Sequence, residues 1–168
     1  MADKTPTPAD SAAVAAPASP PAAPERLTSA PGYQVRRLHQ AYLAAWVRAV
    51  DRTLTGPQFA VLTTVHVYPG SDQSSLASAV ALDTSTMADL ALRLEKRGLL
   101  ERRTTAADGR RKLLYLTPEG ERTLAAAEAR VRELDERLLD TYGPADRERL
   151  LRELTSLADR WERLGAEG

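Results

Sequence analysis

The sequence predicts a mainly α-helical fold with a small antiparallel β-wing, and three observations predict it. Apolar residues recur at spacings of three and four along most of the chain from Gly32 to Leu164. A capped helical segment opening at Asp83 leads through Gly98 into two short strand-like runs joined by a basic, glycine-containing link. Aromatic residues make up only 5 % of the 168 residues against 43 % apolar, which suits a core of leucine and alanine on helices better than a sandwich.

Each element follows in order. Residues 1–31 hold seven of the eleven prolines and no apolar pattern to bury, so a disordered Ala/Pro-rich tail is expected there, with order beginning near Gly32. From Tyr33 to about Asp51, Val35, Leu38, Tyr42, Ala45 and Ala49 form one helical stripe. Thr55-Gly56-Pro57 opens a second helix, with Phe59, Leu62 and Val65 or His66 facing inward and Tyr68-Pro69-Gly70 ending it. Asp72 is the expected N-cap of a short third helix carrying Leu76, Ala77 and Val80, and Ala81-Leu82 makes a tight turn. Asp83 caps a fourth helix whose Met87, Leu90, Ala91 and Leu94 are buried, and Gly98 ends it. Leu99–Thr104 and Lys112–Thr117 read as strands, with Asp108-Gly109 as the turn signal between them. Thr117 and Pro118 then start a long helix that carries Leu124, Val131, Leu134 and Leu138 and runs to Tyr142. Gly143-Pro144 breaks it, and a last helix places Leu150, Leu154, Leu157, Trp161 and Leu164 at alternating spacings of four and three, the pattern of a coiled-coil-like seam. This order is that of a winged helix-turn-helix flanked by N- and C-terminal helices, with expected divisions at 32–54, 55–117 and 118–168.

The formal net charge is zero, so no global field draws the chain to nucleic acid; its distribution is more informative. From Arg93 to Lys112 there are eight basic residues (Arg93, Lys96, Arg97, Arg102, Arg103, Arg110, Arg111, Lys112) and three acidic ones (Glu95, Glu101, Asp108), a segment of +5 in a chain whose remainder is −5. Such a patch is the electrostatic footprint of a DNA-contacting element. The absence of cysteine excludes disulfides, thiol redox sensing and thiolate metal sites. No apolar run approaches the ~18 residues of a membrane span and no signal peptide is legible, so the cytoplasm is the expected compartment.

Reading bases in the major groove needs short polar side chains at a helix N-terminus, where backbone N–H groups also favour phosphate. Thr84, Ser85 and Thr86 supply them, with Ala88 and Asp89 on the same side and Arg93 a turn further; Ala88 can meet a thymine methyl and Asp89 can accept from cytosine. Arg110 is expected at the wing tip, where it can enter a narrow minor groove; Asp108 can hold that guanidinium extended, and Arg111 and Lys112 lie beside phosphates. The plainer alternative makes Thr84, Ser85 and Thr86 capping residues and Asp108 a turn residue, and both roles are compatible.

The segments DTSTMADLALRLEKRGLLERR and DGRRKLLYLTPEG, with Asp108-x-Arg110, Leu116-Thr117 and Gly120, resemble the MarR family of bacterial transcriptional regulators over roughly Gly32 to Leu164. The resemblance implies a homodimer joined through its N- and C-terminal helices, with two winged lobes on a pseudopalindromic operator in double-stranded DNA. It also implies a repressor that releases DNA when a small, often aromatic, acid binds between lobe and interface. A weaker match lies in Pro31-Gly32-Tyr33-Gln34-Val35-Arg36-Arg37-Leu38-His39-Gln40, which is similar to the GHLxRRLQQ start of members near aromatic-acid catabolism genes, where an arginine binds the ligand carboxylate. Here His39 replaces a Gln and Tyr42 stands at a position that is often His. For such a ligand Arg36 or Arg37 supplies the cation, His39 shares the face of Arg36, Tyr42 and Trp46 form an aromatic wall, and His66 is expected to face them. Otherwise Arg36 and Arg37 are surface arginines and Trp46 is core.

An enzyme is not expected. His39 and His66 are the only histidines, no glycine-rich phosphate loop or metal-spaced cluster appears, no cofactor is implied, and acids such as Glu133 and Asp135 sit on amphipathic helices as solvated residues. Further alternatives are an activator, a regulator without a small-molecule ligand, or a winged-helix module that binds protein; the last has no need of a basic wing tip.

Overall fold

A computed structural model describes residues 22–105 and 108–166, with the side chains of residue 105 and residues 108–111 outside the description. Among the described residues, seven helices and three strands follow in the order α1 (Glu25–Thr28), α2 (Pro31–Ala49), α3 (Gly56–Val67), β1 (Ser71–Asp72), α4 (Gln73–Ala79), α5 (Thr84–Lys96), β2 (Leu100–Thr105), β3 (Asp108–Leu116), α6 (Pro118–Leu138) and α7 (Pro144–Ala166). The chain divides into a unit ending at Leu38 and a larger one from His39 onward.

In the first unit helix begins earlier than the expected boundary at Gly32. Pro24 precedes α1, and Pro31 is the first residue of α2. Proline is well placed there, because the first-turn N–H groups of a helix have no intrahelical acceptor to lose. The side chain of Gln34 reaches back to donate to the Thr28 carbonyl, joining α1 to α2. The rest of the expected tail, residues 1–21, lies outside the described residues.

The larger unit is built on one core in which Leu62, Val65, Met87, Leu94, Leu114 and Leu124 are fully buried, so α3, α5, α6 and the sheet share it. Helix starts follow the chemistry expected of them. Thr55 and Gln58 form a capping box on α3, Asp72 accepts from the backbone of Ser74 and Ser75, Asp83 accepts from Thr86, and Thr117 accepts from Gly120. Helix α6 ends at Leu138, short of the expected Tyr142, and Tyr142 closes a turn on the Leu139 carbonyl.

The sheet is three-stranded and antiparallel, in the order β1-β3-β2. Strand β1 is two residues long, pairing Ser71 with Leu114 and Asp72 with Leu113, too short for any alternation to be legible. The wing is longer than expected. The predicted turn at Asp108-Gly109 is corrected: Asp108 pairs with Thr105, because β-branched Thr104 and Thr105 carry β2 onward. The register then steps from Thr105↔Asp108 to Thr104↔Lys112, leaving Gly109, Arg110 and Arg111 as extra residues on β3. Such an irregularity bends a strand and interrupts its ladder.

Between α4 and α5, Ala81 has φ 53°, the one left-handed residue other than glycine among those described. A left-handed alanine costs about 1–2 kcal/mol, whereas the added freedom of a glycine in the unfolded chain costs about 0.4–1 kcal/mol. The strain wins, so Ala81→Gly is expected to stabilise the protein by about 0.5–1 kcal/mol, read as a higher urea midpoint at unchanged m-value.

Candidate nucleic-acid interface and sensor region

Helix α5 buries Met87, Ala91 and Leu94 and turns its opposite side to solvent. On that side stand Ser85, Asp89, Arg93 and Lys96, with Thr84 and Thr86 exposed at the start and Ala88 half-buried at the edge. The structure therefore brings the α5 residues expected to read DNA onto one exposed surface. It adds one that the sequence reading passed over: Leu92, 42 % exposed. Ser85, Asp89, Leu92 and Lys96 follow at spacings of four, three and four, a stripe that was available in the sequence once the buried stripe had been fixed.

The start of α5 is held by Asp83. Its carboxylate accepts the backbone N–H of Thr86 at 2.8 Å and the hydroxyls of Ser85 and Thr86. The Ser85 hydroxyl, then that of Thr86 and its backbone N–H, hold the Asp83 carboxyl far below the usual carboxylate range. Capping and exposure thus coexist in the same residues. The other end of α5 closes with Gly98 at φ 70°, its N–H on the Glu95 carbonyl and that of Leu99 on the Leu94 carbonyl at 2.9 Å. This paired arrangement satisfies carbonyls that a helix end otherwise strands.

The basic patch is partly structural. Arg97 donates to the Thr53 carbonyl at 2.7 Å and to the buried Gln58 side chain at 3.3 Å, tying the end of α5 to the loop between α2 and α3. Arg102 pairs with Glu95 at 3.0 Å, and Arg103 pairs with Glu101 while its guanidinium lies 4.2 Å from the Tyr115 ring centre. Arg93, Lys96 and Lys112 have no ion pair among the described residues and are exposed. The side chains of Asp108, Arg110 and Arg111 lie outside the described residues; their backbones belong to β3.

In the first unit the Arg36 guanidinium lies 5.5 Å from the Tyr33 ring centre, and Arg36 and Arg37 are both exposed. In the larger unit His39 is exposed, and Tyr42 and Trp46 are ring neighbours at 5.9 Å. Trp46 is a core residue, 3 % exposed, with its indole N–H on the Leu54 carbonyl and Phe59 5.7 Å away. The third aromatic partner is thus Phe59. His66 is exposed and its Nδ1 lies 2.9 Å from the Glu121 carboxylate at the start of α6.

Asp135 is exposed, as expected of it, yet partial desolvation raises its carboxyl above the ordinary value; burial, and then the Asp135 charge, raise the Tyr42 phenol. A carboxyl raised in the folded state favours folding below its unfolded value, and this contribution is lost as pH rises through the raised folded one. Asp135→Asn is therefore expected to raise the melting temperature at neutral pH and to flatten the decline between weakly acidic and neutral buffer, measured by thermal scans across that range. Nearby, residues of α2 and α6 line an open cleft of about 340 Å³, apolar at Ala45, Ala49, Leu134 and Leu138 and charged at Arg48, Arg137 and Asp140. Neither arginine stood out in the sequence, since their convergence depends on how two distant helices pack.

Comparison with known proteins gives a consistent result. Residues 54–112 match the model of the MarR family. The transcriptional regulator HosA of Escherichia coli is 41 % identical over 95 residues, 56 % of this chain and 70 % of that protein. The PcaV transcriptional regulator of Streptomyces coelicolor, solved in complex with its natural ligand, superposes with a TM-score of 0.78 at 36 % identity, covering 82 % of this chain and 97 % of that one. The transcriptional repressor CouR, bound to a 23-mer DNA duplex, superposes with a TM-score of 0.69 at 29 % identity, covering 80 % and 96 %. CouR has also been solved bound to p-coumaroyl-CoA. Among the described residues no helix is long and apolar enough to cross a membrane.

Proposed function

The chain belongs to the MarR family of transcriptional regulators, and on that premise we propose that it is a homodimeric repressor that leaves its operator when a small aromatic carboxylate binds. The observation that carries the DNA-binding half is the exposed face of α5, polar at its start and cationic at its end, followed at once by a basic wing. Residues 55–117 are the reading lobe. In it Ser85, Thr86, Ala88 and Asp89 meet base edges, Arg93, Arg111 and Lys112 meet phosphates, and Arg110, steadied by Asp108, enters the minor groove.

The dimer is supported by α7, which buries no residue of its own and exposes Leu151, Leu154, Leu157, Trp161 and Leu164. A helix with such a stripe stays in water only at a cost of roughly 1.5–3 kcal/mol per large side chain, so a second copy is the occupant this reading assigns to it. Residues 32–54 and 118–168 then form the dimerisation region, and the two lobes meet successive major grooves about 34 Å apart.

The carboxylate effector is supported by guanidinium groups with apolar neighbours. Arg36 and Arg37 of the first unit are one source of such groups, Arg36 with the Tyr33 ring beside it. The cleft of Arg48 and Arg137 is a second, favoured by its apolar lining and by two guanidinium groups set against one carboxylate, Asp140. Ligand release is then a coupling in which the acid prefers a lobe spacing that misfits the operator.

Fluorescence anisotropy on DNA from the chain's own upstream intergenic region, with a panel of benzoate-type and cinnamate-type acids, tests both halves. Tight, salt-sensitive binding relieved by one acid is expected. Loss of the response in Arg36→Ala or Arg37→Ala, against loss in Arg48→Ala or Arg137→Ala, separates the two sources of the cation. Tight binding that no acid relieves removes the effector and leaves the DNA reading; no binding above a scrambled duplex, on upstream or genome-selected fragments, removes the DNA reading.

A further inference from the structure

Hydroxyl protons at the start of α5 are already committed. Ser85 Oγ donates to one oxygen of Asp83 and Thr86 Oγ1 to the other, each at 2.5 Å, while the Thr86 N–H takes the first oxygen at 2.8 Å. An ionised carboxylate only accepts, so both shared protons belong to the hydroxyls and point into Asp83. A hydroxyl has one proton and two lone pairs, and what these two turn outward is lone pairs. Rotating either hydroxyl toward a base would give up a charge-assisted hydrogen bond, which is stronger than the neutral one it would gain. Further along, exposed Asp89 again only accepts, while half-buried Ala88 and Leu92, 42 % exposed, offer methyl groups. Cations begin only at Arg93.

We propose that Asp83, by holding the hydroxyl protons of Ser85 and Thr86, makes the leading turns of α5 an acceptor-and-methyl surface that selects A·T base pairs in the major groove. An adenine presents its N6 amino donor to those lone pairs, and its thymine partner presents a methyl to Ala88 or Leu92. A G·C pair also carries one donor, the cytosine N4 amino group that Asp89 can take, but it has no methyl for Ala88 or Leu92, and its guanine sets two adjacent acceptors, N7 and O6, against the Ser85 and Thr86 oxygens, so it is the poorer match at these positions. Asp83 is thus a positioning residue that touches no base. The inference rests on the DNA-binding reading above.

Selection of a randomised duplex library by the full-length protein, followed by sequencing, tests it. The wild type is expected to enrich half-sites whose central major-groove positions are A·T, discriminated against G·C by about tenfold or more. Asp83→Ser keeps an N-cap oxygen for the Thr86 N–H but no anion, freeing both hydroxyl protons for guanine O6. Its discrimination at those positions is expected to fall below about threefold while helix content, read by circular dichroism, is unchanged. Ser85→Ala, which leaves the cap intact, is expected to lose discrimination at one base pair per half-site and to keep it elsewhere. A G·C core selected by the wild type overturns the proposal, as does an unchanged preference in Asp83→Ser. Should that variant not fold, an unchanged preference in Ser85→Ala does the same. Absence of any enrichment by the wild type removes the DNA-binding reading and this inference with it, an outcome distinct from enrichment of the wrong bases.

Discussion

Replacing Gly120 with alanine is expected to destabilise the protein by about 3–5 kcal/mol, a large part of the ~5–15 kcal/mol that holds a domain together. A Cβ built on Gly120 lies 2.1 Å from the Leu99 carbonyl oxygen, a backbone atom that cannot swing aside. Relief requires the start of α6 to move away from the end of α5. That same contact region carries two hydrogen bonds, from the Thr117 N–H to the Leu99 carbonyl at 3.1 Å and from the Thr117 hydroxyl to the Gly98 carbonyl at 2.5 Å. Overpacking costs about 1–3 kcal/mol, and each bond lost adds about 1 kcal/mol. In a chain of this length the sum lowers the melting temperature by about 10 °C or more. Gly143→Ala is the matched control, because a Cβ there meets nothing within 4 Å, and it is expected to change stability by no more than about 0.5 kcal/mol. A Gly120→Ala protein that melts with the wild type would show that α6 slides freely on α5, and with it that the α5–α6 joint does not fix where the reading helix points.

That joint shows which parts of the molecule can be read before it is folded. Caps were legible because their chemistry is local: Asp72, Asp83 and Thr117 each accept from a backbone N–H two or three residues on, a relation that the chain carries in its order. So were the buried Met87, Ala91 and Leu94 of α5 and Leu124 and Leu134 of α6, which depend on period alone, whereas Leu138 at the end of the α6 stripe is 44 % exposed. Gly120 could be seen as a helix residue near Thr117, but nothing nearby in sequence announces that the Leu99 carbonyl will press against it. The same holds for β1, whose two residues acquire meaning only by pairing with Leu113 and Leu114, and for Arg97, counted by its charge yet engaged with Thr53, 44 positions away. In the candidate site the surface of α5 was legible apart from Leu92, which was passed over because an apolar residue is assigned to the core by default. The aromatic wall was legible only as a pair: Tyr42 and Trp46 are neighbours on one helix, but Trp46 is sealed by Leu54 and Phe59, which other elements bring to it.

Arg110→Ala is expected to weaken operator binding by about 100-fold while leaving the melting temperature in place. Backbone register sets the expectation. Thr105 pairs with Asp108, and Gly109, Arg110 and Arg111 are the extra residues that follow, so the Arg110 backbone lies in the irregular stretch of β3 close to the end of the wing. A guanidinium entering a narrow minor groove gains from the enhanced negative potential there, and one such contact is worth roughly tenfold in affinity. The dimer presents two wings, and two independent losses multiply to about 100-fold. Salt separates this contact from a simple phosphate one. Lys112→Ala should reduce affinity on all duplexes alike and lower the slope of log affinity against log salt by about one for each contact removed. Arg110→Ala should lower the slope similarly, and in addition erase any preference for duplexes whose wing-facing flanks are A-tracts over duplexes with G·C flanks, because the groove width that distinguishes them is what the arginine senses. Anisotropy titrations of both variants on A-tract and G·C-flanked duplexes at several salt concentrations read all of these. If Arg110→Ala behaves as Lys112→Ala does, uniformly weaker with no loss of flank preference, the wing is a phosphate clamp, and the sequence preference of the protein belongs to α5 alone.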